Sequence, residues 1–228
     1  MGQSPNFVVA ADVNADGKLD LISANNNTNT LSVLTNNGHG GFVLSSSPIV
    51  GNGPYSVTAA DVNGDGRPDL ITVCVNTPGI WVLTNDGSGG FAIAFSAGAG
   101  SRPQSVVAAD VNGDGKLDII AADYGGDAVL IMTNNGSGGF ALSSSPGVGN
   151  SPNCVAAADV NGDGKVDFIT ANYSDNTLSV MTNNGSGGFA MASTLTVNLG
   201  PMSVAVADVN EDGKRGEREF CGLGRHRH

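Results

Sequence analysis

Apolar and polar residues alternate along this chain in short runs, and none of the runs has helical period. Read over residues 151–200, the pattern predicts a strand at 154–158, a loop at 159–167 and a second strand at 166–171. A polar turn from Tyr173 to Thr177 then precedes a third strand at Leu178–Thr182. Asn183-Asn184-Gly185-Ser186-Gly187-Gly188 makes a tight connection, and Phe189 opens a fourth strand that fades near Leu195. Phe42, Phe91 and Phe140 each follow the same kind of Gly-rich turn. Asn-Gly dipeptides bracketed by alternating apolar residues are strong hairpin signals.

This unit is copied in tandem. An acidic loop begins at Asp12, Asp61, Asp110, Asp159 and Asp208, a constant interval of 49 residues. A fixed period of that length marks a solenoid or propeller, and four short antiparallel strands per period are the content of one β-propeller blade. The expected fold is all-β: propeller-type tandem blades of four antiparallel strands, about four complete repeats and a truncated fifth. The expected domains are four blades over 1–200, the start of a fifth repeat over 201–213, and a non-repeat basic tail over 214–228.

The loop reads D-x-N-x-D-G-x-x-D. Oxygen-bearing side chains at loop positions 1, 3 and 5 converge if the chain curls, and Gly17, Gly66, Gly115 and Gly164 at position 6 permit the sharp turn. Position 7 offers its backbone carbonyl, so a basic side chain is tolerated there. Position 9 closes the shell. The candidate ligands are Asp12, Asn14, Asp16, Lys18 and Asp20 in the first loop, and Asp61, Asn63, Asp65, Arg67 and Asp69 in the second. They are Asp110, Asn112, Asp114, Lys116 and Asp118 in the third, and Asp159, Asn161, Asp163, Lys165 and Asp167 in the fourth. All-oxygen ligands favour Ca2+ over softer metals, giving about four Ca2+ sites. Asp, Asn and Gly also build turns without any metal. The fifth loop keeps Asp208, Asn210 and Asp212 but has Gly216 in the closing position.

An EF-hand would need flanking helices and an acidic residue at position 12, where Ser23, Thr72, Ala121 and Thr170 stand. The flanks Val57–Ala60 and Leu19–Ala24 are β-type runs, so the loop joins two strands. The formal charge is −11, and twelve of the acidic groups are loop aspartates, so four divalent cations would offset most of it. No basic stripe runs through the repeats, which argues against nucleic acid. No apolar run is long enough to insert in a membrane. Cys74 and Cys154 occupy unrelated repeat slots and make no disulfide framework.

The combination of D-V-N-G-D-G-K-x-D, L-I-T-A-N and N-G-S-G-G-F resembles the FG-GAP-like (VCBS) repeat, which includes the calcium-bearing blades of integrin α-subunit propellers. The resemblance covers about residues 4–213. It implies a Ca2+ held between each blade's first two strands, by Asp12, Asn14, Asp16 and Asp20 and their equivalents. It also implies rings of six to eight blades, so the chain is expected to be part of a larger propeller, with self-association of the incomplete ring as one consequence. The usual acidic residue of the N-G-x-G turn is here His39, Ser88, Ser137 or Ser186.

Three functional classes follow. The first is a calcium-stabilised module for extracellular or cell-surface interaction or adhesion, with a protein or glycan ligand. No leader is visible in Met1–Asn6, so an exported form would have lost it or carry it upstream. The second is a carbohydrate-binding lectin, for which Trp81, Tyr124 and Tyr173 are the aromatic candidates; Trp81 has no aromatic equivalent in the other repeats. The third is the propeller part of a secreted hydrolase or lyase. It lacks a cluster of acid, base and nucleophile: the repeats hold one His, His39, and few aspartates outside the loops (Asp86, Asp123, Asp127 and Asp175). The expectation is therefore a non-enzyme with no catalytic residues. Residues 214–228 hold half of the chain's Lys and Arg and read as foreign to the fold.

Overall fold

The structure is a computed structural model in which residues 2–207 are described. The fifth-loop residues Asp208, Asn210 and Asp212 and the tail 214–228 lie outside them. Sixteen strands follow one another with no helix among the described residues. They are β1 Pro5–Ala11, β2 Asp20–Asn25, β3 Thr30–Asn36, β4 Phe42–Ser46, β5 Pro54–Ala60, β6 Asp69–Cys74, β7 Gly79–Asn85 and β8 Phe91–Ala97. Then come β9 Pro103–Ala109, β10 Asp118–Asp123, β11 Ala128–Asn134, β12 Phe140–Ser144, β13 Pro152–Ala158, β14 Asp167–Asn172, β15 Thr177–Asn183 and β16 Phe189–Thr196. Each consecutive four form one antiparallel sheet in simple order. Fold class and strand content match the sequence expectation: each 49-residue repeat is one propeller-type blade.

The pattern of burial explains the sequence of each strand. β6 and β10 carry continuous apolar runs, Leu70-Ile71 and Ile119-Ile120-Ala121-Ala122, because both faces are covered. The fourth strand of each blade is largely exposed and keeps a mixed composition. Pro opens β1, β5, β9 and β13, a position where a strand tolerates a residue without an N–H. In β1, β5 and β13 the register slips just after it.

The described residues divide into two compact units, one of 2–106 with Asn134–Phe140, the other of Val107–Thr133 with 141–207. In the first unit, Ile22, Ala24, Leu31 and Val33 of the first blade pack against Val57, Leu70 and Leu83 of the second. In the second unit, Ile120, Val129 and Ile131 of the third blade pack against Val155, Phe168 and Met181 of the fourth, and Phe168 meets Phe189 at a ring separation of 4.8 Å. Val204 covers Ile169, Leu178 and Val180 on the fourth blade's other face. Val57, Val155 and Val204 thus share one repeat slot and are 0%, 3% and 5% exposed, whereas Val8, in the same slot of the first repeat, is 57% exposed.

Cys74 and Cys154 are free thiols. Burial pushes the Cys74 thiol up to about 12, against a small opposing effect of its contact with the Gly51 carbonyl, so it is inert at neutral pH.

Candidate metal centre

Each acidic loop spans the hairpin between a blade's first two strands: 12–19, 61–68, 110–117 and 159–166. The curl is fixed from within. In the second loop, Asp61 Oδ1 accepts the N–H of Gly64 at 2.8 Å and of Asp65 at 3.2 Å, while its Oδ2 accepts Gly66 N–H at 2.8 Å. Asn63 Oδ1 accepts the same Asp65 N–H at 2.9 Å. The side-chain oxygens of positions 1 and 3 therefore converge on one backbone nitrogen. This geometry recurs at Asp110 and Asn112 around Asp114, and at Asp159 and Asn161 around Asp163. It holds at Asp12 and Asn14 around Asp16 as well. The position-6 glycines have φ near +80°, and no atom lies near their missing Cβ, so local backbone conformation, not crowding, demands glycine.

The position-5 aspartates face solvent and lean on the residue two further on. Lys18 Nζ lies 3.0 Å from Asp16 Oδ2, and this hydrogen bond holds the Asp16 carboxyl below its ordinary range. For Asp114 and Asp163 the largest lowering influence is the backbone N–H of Lys116 or Lys165. The side chains of Lys18, Lys116 and Lys165 thus sit beside the loop's charge, whereas Arg67 Nη1 donates to the Asp86 carbonyl at 3.2 Å; what position 7 could offer a cation is its backbone carbonyl.

The position-9 aspartates are different. Asp20, Asp69, Asp118 and Asp167 are fully buried at the base of the loop. Asp69 Oδ2 accepts Val62 N–H at 3.2 Å and its Oδ1 accepts Asn85 N–H at 2.9 Å. Asp20 does the same with Val13 and Asn36, and Asp167 with Val160 and Asn183. This carboxylate ties the loop entrance to the end of the third strand. Burial raises Asp69 and Asp167 above the ordinary carboxylate value, the two backbone N–H groups oppose it, and the loop's other two aspartates add to the rise.

The sequence reading recognised the closing aspartate as a candidate ligand and missed its part in joining strands. It also missed the Asn that precedes each N-G turn. Asn85, Asn134 and Asn183 are buried and send their side-chain N–H to the carbonyls of Val13, Val62 and Val111 in the preceding repeat, at 2.7–2.8 Å. Their recurrence, with Asn36, one residue before the Asn-Gly or Asp-Gly that opens each Gly-rich turn was the available signal. Within the turns, Asn37, Asp86, Asn135 and Asn184 cap backbone N–H groups of the turn, such as Ser88 and Gly90 for Asp86.

In kind, the donors fit a hard divalent cation: three carboxylates and one amide oxygen per loop, with like-charge repulsion for a cation to relieve. Asp61 Oδ2 and both oxygens of Asp69 accept one hydrogen bond each and keep a second lone pair, whereas Asp61 Oδ1 already accepts two. Among the described residues, no three His, Cys, Asp or Glu side chains are drawn into a tight cluster.

The profile of the FG-GAP-like repeat matches residues 12–72, 71–121, 110–170 and 159–215, nearly the whole chain from the first loop onward. The chain belongs to the FG-GAP-like repeat family. No curated protein matches its sequence. Among solved structures, the chain is similar to an Agrocybe aegerita lectin that recognises non-reducing terminal N-acetylglucosamine (23% identity, TM-score 0.61, covering 93% of this chain and 59% of the lectin). A functionally unknown protein of Desulfotomaculum acetoxidans is similar at 11% identity and TM-score 0.72, over 98% of this chain and 72% of that one. A Lactobacillus plantarum protein is similar at 12% identity and TM-score 0.67, over 90% and 59%. The FG-GAP-like chain thus spans about three fifths of the lectin's length, and at these identities the likeness is one of fold.

Proposed function

We propose that this chain is a calcium-binding repeat module for extracellular or cell-surface interaction or adhesion, with Ca2+ as a structural ion. The observation that carries the reading is the fourfold recurrence of the loop, with position 1 and 3 oxygens converging on one nitrogen and a buried carboxylate beneath. Asp12, Asn14, Asp16, Asp20 and their equivalents would hold the ion, with the carbonyls of Lys18, Arg67, Lys116 and Lys165. The ion would supply positive charge between carboxylates that otherwise repel. Modest-affinity oxygen sites of this type are matched to the Ca2+ concentrations outside cells.

The test is thermal unfolding in EDTA and across a Ca2+ titration, with Mg2+ as control. At a concentration near 100 times Kd, each independent site stabilises the fold by about 2.7 kcal/mol. A Ca2+-specific rise in Tm supports the reading; an unchanged Tm sinks it.

A second reading is glycan binding. The likeness to the N-acetylglucosamine-recognising lectin favours it, as does Tyr173, 41% exposed beside the loop that follows the fourth blade. Saturation-transfer NMR with N-acetylglucosamine would detect it, and loss of the signal in Tyr173→Ala would locate it. We place the chain among binding modules because the sequence of the repeats offers one His, His39, and few aspartates outside the loops as candidates for catalysis.

A further inference from the structure

We infer that a second copy of this chain docks on the uncovered face of the first blade, and that it does so head to tail. The first blade of one copy seats on the fourth acidic loop of the next, with Asn36 and Phe42 meeting Val160. The pattern is the contact that successive blades already make. In it, the Asn that ends the third strand donates to the carbonyl of loop position 2 in the preceding repeat: Asn85 to Val13, Asn134 to Val62 and Asn183 to Val111. The Phe that opens the fourth strand packs on the apolar cluster to which that loop valine belongs, Phe91 on the cluster of Val13 and Phe189 on the cluster of Val111. Val13, Val62 and Val111 are all buried.

The first and fourth blades each carry one half of this contact. On the first blade, Asn36 donates to Leu19 O within its own repeat and to no loop carbonyl among the described residues, and Phe42 is 40% exposed. The first strand shows the same deficit. Pro5, Phe7 and Val8 are exposed, whereas Pro54, Ser56 and Val57 in the same slots are buried. On the fourth blade, Val160 is only half-buried, unlike the other three loop valines, and no Asn side chain is bonded to its carbonyl among the described residues. A free amide N–H and a bare ring on one face thus match a loop carbonyl and a half-covered valine on the other.

The receiving surface matches too. Ile169, Leu178 and Val180 of the fourth blade occupy the slots of Ile22, Leu31 and Val33, against which the second blade packs. In the single chain this cluster is covered in part by residues 201–207, which repeat the slots of Pro5–Ala11 and lay Val204 on it, yet form no strand of the four sheets. β1 is a seven-residue strand already paired with β2, and in the assembly it takes over that place, Val8 for Val204. Unlike faces meet in such a contact, so it is heterologous and leaves one open end of each kind.

The experiment is sedimentation velocity of the full chain over a wide concentration range, with Val8→Asp, Val160→Asp and a 1:1 mixture of the two. The wild type is expected to form a heavier species that grows with concentration and with added salt, because both copies are acidic and salt screens their repulsion. Each variant blocks one end and is expected to sediment as a single copy. Mixed, the two retain one good end of each kind and are expected to form a pair that grows no further. Asn36→Ala is expected to weaken the wild-type association roughly five- to tenfold, the worth of one buried hydrogen bond. A wild type that stays single at every concentration overturns the proposal. So does a heavier species that Val8→Asp abolishes and Val160→Asp leaves intact, which would be two first blades face to face. So does a mixture that stays single while both variants keep the wild-type circular dichroism. Should Val160→Asp lose that spectrum, Asn36→Ala decides, and association unchanged by it overturns the proposal.

Discussion

Asn85 donates a side-chain N–H to the carbonyl of Val13 at 2.8 Å, a bond between residues 72 positions apart. Val13 is the second residue of the first acidic loop, and its own N–H goes to Asp20. The loop of one repeat is thereby fastened to the hairpin turn of the next. Asn85 also donates to the Pro68 carbonyl of its own repeat at 3.0 Å, so one buried amide serves two blades.

Asn85→Ala would leave the Val13 and Pro68 carbonyls short of a donor in a buried place. Its expected cost is about 1–3 kcal/mol. Asn36 occupies the same slot in the first repeat, is exposed around its bond to Leu19 O, and shows no bond to an earlier repeat among the described residues. Asn36→Ala should therefore cost clearly less. Paired urea unfolding curves at fixed Ca2+ test the difference, and equal costs would mean that the inter-repeat bond adds nothing.

Asp69→Asn separates the two duties of the closing aspartate. The wild-type carboxylate accepts two backbone N–H groups in a buried site. An amide has one oxygen, and its NH2 would confront one of those donors. The expected loss is about 2–3 kcal/mol even in EDTA, because the hydrogen bonds exist without metal. Unfolding in EDTA that is indistinguishable from wild type would assign Asp69 to the metal alone.

How much was legible in the sequence follows from the range of each interaction. Strands and turns were readable because alternation and Asn-Gly are local, and because the repeat displays each of them several times. Asp20 looked only like a ligand, since its partners Val13 and Asn36 lie seven and sixteen residues away. The Asn85–Val13 bond depends on how one blade meets another, which no pattern within a blade encodes. For the same reason Val8 looks like any other strand valine in sequence and differs from Val57 only in space.

Ala15 marks a local strain. It has φ +59° where Gly64, Gly113 and Gly162 stand in the other loops. A left-handed conformation costs an alanine roughly 1–2 kcal/mol, while glycine loses about 0.4–1 kcal/mol more in ordering the unfolded chain. Ala15→Gly should thus stabilise the fold by about 0.5–1 kcal/mol. Differential scanning calorimetry in EDTA reads this effect apart from any ion, and a lowered Tm would show that Ala15 is not strained.

Val8 and Val57 offer the same side chain with different cover. Val57 is fully buried against the first blade, so Val57→Ala removes two buried carbons and opens a cavity, at a cost of about 2 kcal/mol. Val8 is 57% exposed, and Val8→Ala should stay within about 0.5 kcal/mol in the isolated chain. Measured at dilute and at high protein concentration, the Val8→Ala cost should be the same if that face meets only water. A cost that grows with concentration, matched by a heavier species in sedimentation velocity that Val8→Asp abolishes, would mean that a second copy covers the face which the later blades bury on their neighbours.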